Sequence, residues 1–144
     1  MLASRLGRCV RYLEELIRAA AEGRGDELPP TVLAMVQARL MRLDSGARRV
    51  LRAASIFGSH FWRDGVAELL LSDPVTADVE HWLLTLTEME LITPHTHSRL
   101  RGGGEFSFRH GLVRDAAYGL LTDDRRRVYH RVAAEFLLRA GEKD

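Results

Sequence analysis

The chain has 144 residues, with Lys+Arg 21 against Asp+Glu 20 and a formal net charge of +1, a balance that does not point to a nucleic-acid or membrane partner. Its 46% hydrophobic content is ordinary for one globular domain, whose core needs neither disulfide nor metal. Cys9 is the single cysteine, which excludes an internal disulfide, and no apolar run approaches the roughly 18 residues of a membrane span.

Leu2, Leu6, Cys9, Val10, Leu13, Leu16, Ile17 and Ala20 recur at helical spacing and predict an amphipathic first helix. Arg5, Arg8 and Arg11 interrupt it and leave no signal-peptide core, so a cytoplasmic location is expected. This helix begins almost at Met1, without a cap; it reads either as an N-terminal helix docked on the domain or as a start inside a larger architecture. A Gly-rich charged break follows at Glu22 to Leu28.

Pro29 and Pro30 open a second helix with Val32, Leu33, Val36, Leu40 and Leu43 inward. Asp44 or Ser45 caps a third, in which Ala47, Val50, Leu51, Ala54 and Phe57 face the core and Gly58 closes the helix. Phe61 and Trp62 fall in a connection and are expected to plug the core. A fourth helix covers Arg63 to Leu71, Ser72-Asp73-Pro74 is a turn, and a fifth helix carries Val79, Trp82, Leu83, Leu86 and Met89.

Leu91 to His97 then looks extended, Arg99 to Gly104 is a turn, and Glu105 to Phe108 alternates as a strand with Phe106 and Phe108 on one face. Helical spacing resumes at Leu112, Val113, Ala116, Ala117, Leu120 and Leu121. Thr122 or Asp123 caps a last helix with Tyr129, Val132, Ala133, Phe136 and Leu137 inward. The expected fold is mainly α: a winged helix, that is, a helical bundle plus a β-hairpin wing, followed by a helical pair like the start of helical repeats. The divisions are 1–25, 26–108 and 109–144.

Arg109 and His110 sit where the last strand meets a helix N-terminus. A cation there opposes the helix dipole, so an anionic ligand or a carboxylate partner is expected to compensate. Asp115 could pair with Arg109 or Arg114. The winged helix first suggests a DNA reader. Its recognition helix, Thr76 to Glu90, nonetheless holds Asp78, Glu80, Glu88 and Glu90 and no Lys or Arg, which is unfavourable against phosphate charge. Arg99 and Arg101 in the wing could touch a backbone.

Enzyme chemistry finds little support. There is no G-x-x-x-x-G-K-[ST] loop and no G-x-S-x-G, and Gly102 to Gly104 belongs to a hairpin tip. Cys9 has no nearby His to activate it. His95 and His97 would share a strand face, but no further ligand is placed to complete a metal set. The expectation is a non-enzyme without metal.

The stretches LPPTVLAMVQARLMRLDSGARRVLRAASIFGSHF, FSFRHGLVRDAAYGLL and RRRVYHRVAAEFL resemble the region after the ATPase core in STAND proteins, the signal-transduction ATPases with numerous domains. The closest resemblance is to the bacterial members found in multidomain regulators and beside cyclase and serine/threonine kinase domains. Tyr12 to Leu16 (YLEEL) is similar to the end of the ATPase lid in that family, although the usual Asn-Pro is missing here. The resemblance implies a winged helix between a nucleotide-binding core and helical repeats, with those protein domains as partners and ADP or ATP held mainly elsewhere.

FRH is also similar to the Met-His-Asp motif of the family, with Gly111 at the acidic position. That resemblance implies a nucleotide-phosphate sensor at His110, beside Arg109. A regulatory coupling module is therefore the leading expectation; a winged-helix DNA-binding protein and a self-associating protein-interaction fragment are the alternatives.

Overall fold

A computed structural model describes residues 30–71, 78–97 and 103–141. The expected first helix and the break after it, the turn at 72–74 and most of the hairpin tip lie outside the described residues. Those residues form α1 (Pro30–Leu40), α2 (Ser45–Ser55), β1 (His60–Trp62), α3 (Arg63–Leu71), α4 (Val79–Glu88), β2 (Ile92–His95), β3 (Glu105–Phe108), α5 (Gly111–Gly119) and α6 (Asp123–Gly141). The chain is mainly helical, with one small antiparallel sheet in the order β1-β3-β2.

The helix α2 is the centre of the core. Ala47, Val50, Leu51 and Ala54 recur at three- and four-residue steps, and all are buried. Asp44 is its N-cap residue. One turn in, the Arg48 guanidinium donates to the carbonyls of Met41 (2.6 Å) and Leu43 (2.9 Å), covering oxygens left over at the end of α1. The chain leaves α2 through Phe57 and turns at Gly58, whose φ of +101° favours glycine.

Phe61 and Trp62 do not lie in a plain connection, as expected, but in β1. Their register puts Phe61 opposite Phe106 and Trp62 opposite Glu105. The physical reason is the second edge of β3, whose backbone groups need a partner once β2 has taken the first. Phe61 is fully buried and stacks on Phe106 at 5.7 Å, with Phe108 at 5.3 Å. Burying one such ring contributes about 2–3 kcal/mol.

The end of α4 fixes the entry into β2. Leu91 N–H donates to Leu86 O (3.1 Å) and Glu90 N–H to Thr87 O (3.0 Å), the two bonds of a Schellman closure. Leu86 and Leu91 are both buried, supplying the apolar contact that accompanies that motif. The left-handed residue is Glu90, at φ 62°, where glycine is the usual occupant.

The helix α5 packs against α1 and α2, and Gln37 Nε2 of α1 donates to the Ala116 carbonyl at 3.3 Å. The helix α6 crosses α3, where Phe136 meets Phe57 edge-on at 6.0 Å and Phe57 meets Trp62 in the same way. Arg139 pairs with Glu68 at this crossing. A single hydrophobic cluster runs from Val36 and Leu40 through Phe108 and Leu112 to Tyr129 and Ala133, so residues on both sides of position 108 share one core.

Two substitutions test this account. A Cβ at Gly46 would overlap the indole of Trp82, a rigid and half-buried ring. Overpacking of about 1–3 kcal/mol outweighs a helix-propensity gain of about 1 kcal/mol, so Gly46→Ala lowers stability in urea denaturation. Glu90→Gly removes the left-handed penalty and, after the entropic cost of glycine, raises stability by about 0.5–1 kcal/mol in the same measurement.

Candidate functional site

Three polar microenvironments stand out against this frame. The first is the hinge between β3 and α5. Phe108 N–H donates to Ser59 O at 2.9 Å and Arg109 N–H to Leu91 O at 3.1 Å, so the end of β3 is tied on both sides. His110 is the N-cap residue of α5, in an extended conformation (φ −134°, ψ 130°), and its carbonyl accepts from Val113 N–H at 3.1 Å. Its side chain makes no capping hydrogen bond.

Arg109 is exposed and His110 half-buried. The first turn of α5 holds no acidic residue, so no carboxylate within that turn offsets the hinge charge. Asp115 takes the Arg114 alternative, at 3.3 Å, while Arg114 Nε also donates to Ser55 O at 3.0 Å.

The second is the outer face of the sheet. β1 and β2 bring His60 and His95 to either side of β3, with ring centroids 5.3 Å apart. His60 Nδ1 lies 3.1 Å from Glu105 Oε2, and His95 Nε2 lies 2.8 Å from Ser107 Oγ. Glu105 is only 4% exposed, an unusual place for a carboxylate unless it is hydrogen-bonded. The neighbour of His95 is therefore His60 across the sheet, not His97, which lies beyond the end of β2. Among the described residues no group of three His, Cys, Asp or Glu side chains is arranged to hold a metal.

The third is a cavity of about 140 Å³ at the corner where α2 meets the turn between α5 and α6. Arg49, Arg52 and Arg125 line it with Tyr129 and Thr122, over Leu120 and Leu121. Thr122 caps α6, its hydroxyl accepting from Arg125 N–H at 3.2 Å. Burial holds the Arg52 guanidinium below its usual range; Tyr129 opposes that shift, while Arg48, Arg49 and Arg125 add to it.

Sequence reading missed the second and third groupings. The spacing of Arg49 and Arg52 puts them on one face of α2, which the sequence does carry. Nothing in the pattern joins that face to Arg125, 73 positions further on. The pairing of His60 with Glu105 needed β1, and three residues are too few to show strand alternation.

No protein-family model, curated protein or solved structure matches this chain. Among the described residues no helix is long and apolar enough to cross a membrane.

The outer face of the sheet yields a stability test. His60→Ala withdraws one hydrogen-bond partner from the buried Glu105 carboxylate and costs about 1 kcal/mol, discounted because His60 is partly exposed. In a Glu105→Gln background the same change costs less than about 0.5 kcal/mol, because no buried charge is left to compensate. A double-mutant cycle by thermal or chemical denaturation measures the difference.

Proposed function

We propose that this chain is a non-catalytic coupling module of a STAND-type signalling ATPase: a winged helix followed by the first helices of a repeat region. Its partners are the nucleotide-binding core and the repeats that follow. The observation that carries the reading is the element order α2-β1-α3-α4-β2-β3 with β3 between β1 and β2. That order supports a three-helix unit whose last two strands form a wing. The resemblance of FRH-x-L-V-R-D-A-A-Y to the family's winged-helix segment supports the same reading.

The mechanism is a two-state one. A nucleotide phosphate held by the ATPase core reaches His110 and Arg109 in one state only, and that differential contact biases the equilibrium. The hinge suits the role mechanically. His110 starts α5, and α5 packs on α1 and α2, so a shift at the hinge acts on helices at the centre of the core. ATP chemistry belongs to the core domain, since this sequence contains no phosphate-cradling loop.

The DNA-reading alternative is disfavoured by α4. Asp78, Glu80, Glu88 and Glu90 are all exposed on or beside it, and Glu80 pairs with Arg63 at 3.1 Å. Docking that surface into a groove would set carboxylates against phosphates.

Two measurements test the proposal. Fluorescence anisotropy with duplex DNA gives no salt-dependent binding at protein concentrations up to about 1 µM; a steep salt slope with sub-micromolar affinity favours the DNA reader instead. In a polypeptide that joins this region to a P-loop ATPase core, His110→Ala speeds ADP release about tenfold, which corresponds to one lost charge-assisted contact. Unchanged release removes the phosphate contact from the mechanism.

A further inference from the structure

On its β3 side the hinge at His110 is held by backbone, through the bonds of Phe108 and Arg109 to Ser59 and Leu91. On its α5 side a side chain joins in. Arg114 stands one turn into α5, and its backbone N–H lies 3.5 Å from His110 O. Its Nε donates to Ser55 O at 3.0 Å, at the last residue of α2. That carbonyl also accepts from Gly58 N–H at 3.3 Å. It sits at the negative end of α2, where a cation is favoured, and a charged donor bonds more strongly than a neutral one. Arg114 also reaches Asp115 at 3.3 Å, but Asp115 is more than half exposed and that pair adds little.

The same guanidinium lies over the Tyr118 ring, 4.9 Å from its centroid. Arg126 of α6 lies over that ring too, at 4.5 Å, and donates to Tyr118 O at 3.1 Å. The Tyr118 hydroxyl meets His130 Nε2 of α6 at 3.0 Å. The helix α5 packs on α1 and α2, whereas α6 crosses α3. Tyr118 therefore bridges two helices that lean on different neighbours.

We propose that Arg114 is the positioning residue of the hinge: it fixes the first turn of α5, and with it His110, against the end of α2, and Tyr118 passes that orientation to α6. A guanidinium serves both tasks, because its edge donates to a carbonyl while its face lies on a ring. A lysine ammonium keeps the charge and loses the plane. The functional weight of this link rests on the coupling role proposed above, in which α6 belongs to the first helices of the repeats. A phosphate contact at His110 then acts on α6 as well as on the core of the module.

The test uses the full chain without nucleotide, so its outcome does not depend on the ATPase reading. NMR records the imidazole signals of His110 and His130 and the amide hydrogen exchange of α5, with α1 as the internal reference. Arg114→Gln shifts the His110 signal and speeds exchange in the first turn of α5 about tenfold, while exchange in α1 changes less than about twofold. Arg114→Lys, which keeps a cation at the end of α2, gives intermediate exchange. Asp115→Asn leaves both readouts unchanged. Arg114→Gln also moves the His130 signal, and in a Tyr118→Phe background, which lacks the hydroxyl link, it does not.

An unshifted His110 signal with unchanged exchange overturns the positioning role. Faster exchange of equal size in α1 overturns it too, because it reports a general loss of stability. A His130 response that survives Tyr118→Phe overturns the link to α6. Where Arg114→Gln does not fold, Arg114→Lys against the unaltered chain decides the same points. Unchanged ADP release on His110→Ala in the core-linked polypeptide removes the coupling role and leaves these results standing.

Discussion

The position of β3 between β1 and β2 is the constraint on which the rest of the structure depends. A central strand must satisfy backbone groups on both edges. The ladder is extended by one bond on each side, from Phe108 N–H to Ser59 O and from Arg109 N–H to Leu91 O. The register then sorts the side chains. Phe61, Phe106, Phe108 and Ile92 share one face of the sheet, and His60, Trp62, Glu105, Ser107, Thr93 and His95 share the other. A one-residue slip would exchange these sets and bury the histidines in place of the phenylalanines.

The same strand aims the helix that follows. β3 ends at Phe108, and α5 begins at Gly111 with His110 held extended between them. From there α5 lies on α1 and α2, and α6 returns across α3. In the proposed coupling role this geometry makes the hinge a lever: a contact at His110 acts directly on the helix that carries the core of the module. The outer face of the sheet is stabilised differently, by a carboxylate whose burial is tolerable because His60 hydrogen-bonds it.

A net charge of +1 conceals a strong separation of sign. Carboxylates cluster along α4, and guanidinium groups converge at the corner of α2 and α6. The two regions therefore suit opposite kinds of partner. The almost exclusive use of arginine over lysine favours planar, bidentate recognition wherever those groups meet an oxyanion, while elsewhere the same groups cap helices, as Arg48 does for α1.

The sequence by itself determined the helices α1 to α6, because apolar residues at three- and four-residue steps, Pro30, a cap at Asp44 or Ser45 and another at Thr122 or Asp123 are local signals that need no long-range partner. It also carried β2, β3 and the hinge at Arg109 and His110, where the period changes from two to 3.6. Only the tertiary structure decided that His60 to Trp62 is a strand, since its identity comes from the free edge of β3 and not from three residues of pattern. It alone placed His60 on Glu105 and brought Arg125 to Arg49 and Arg52, because both groupings join residues more than 40 positions apart. Periodicity reports the faces of single elements; which faces meet is settled by the packing of all of them at once.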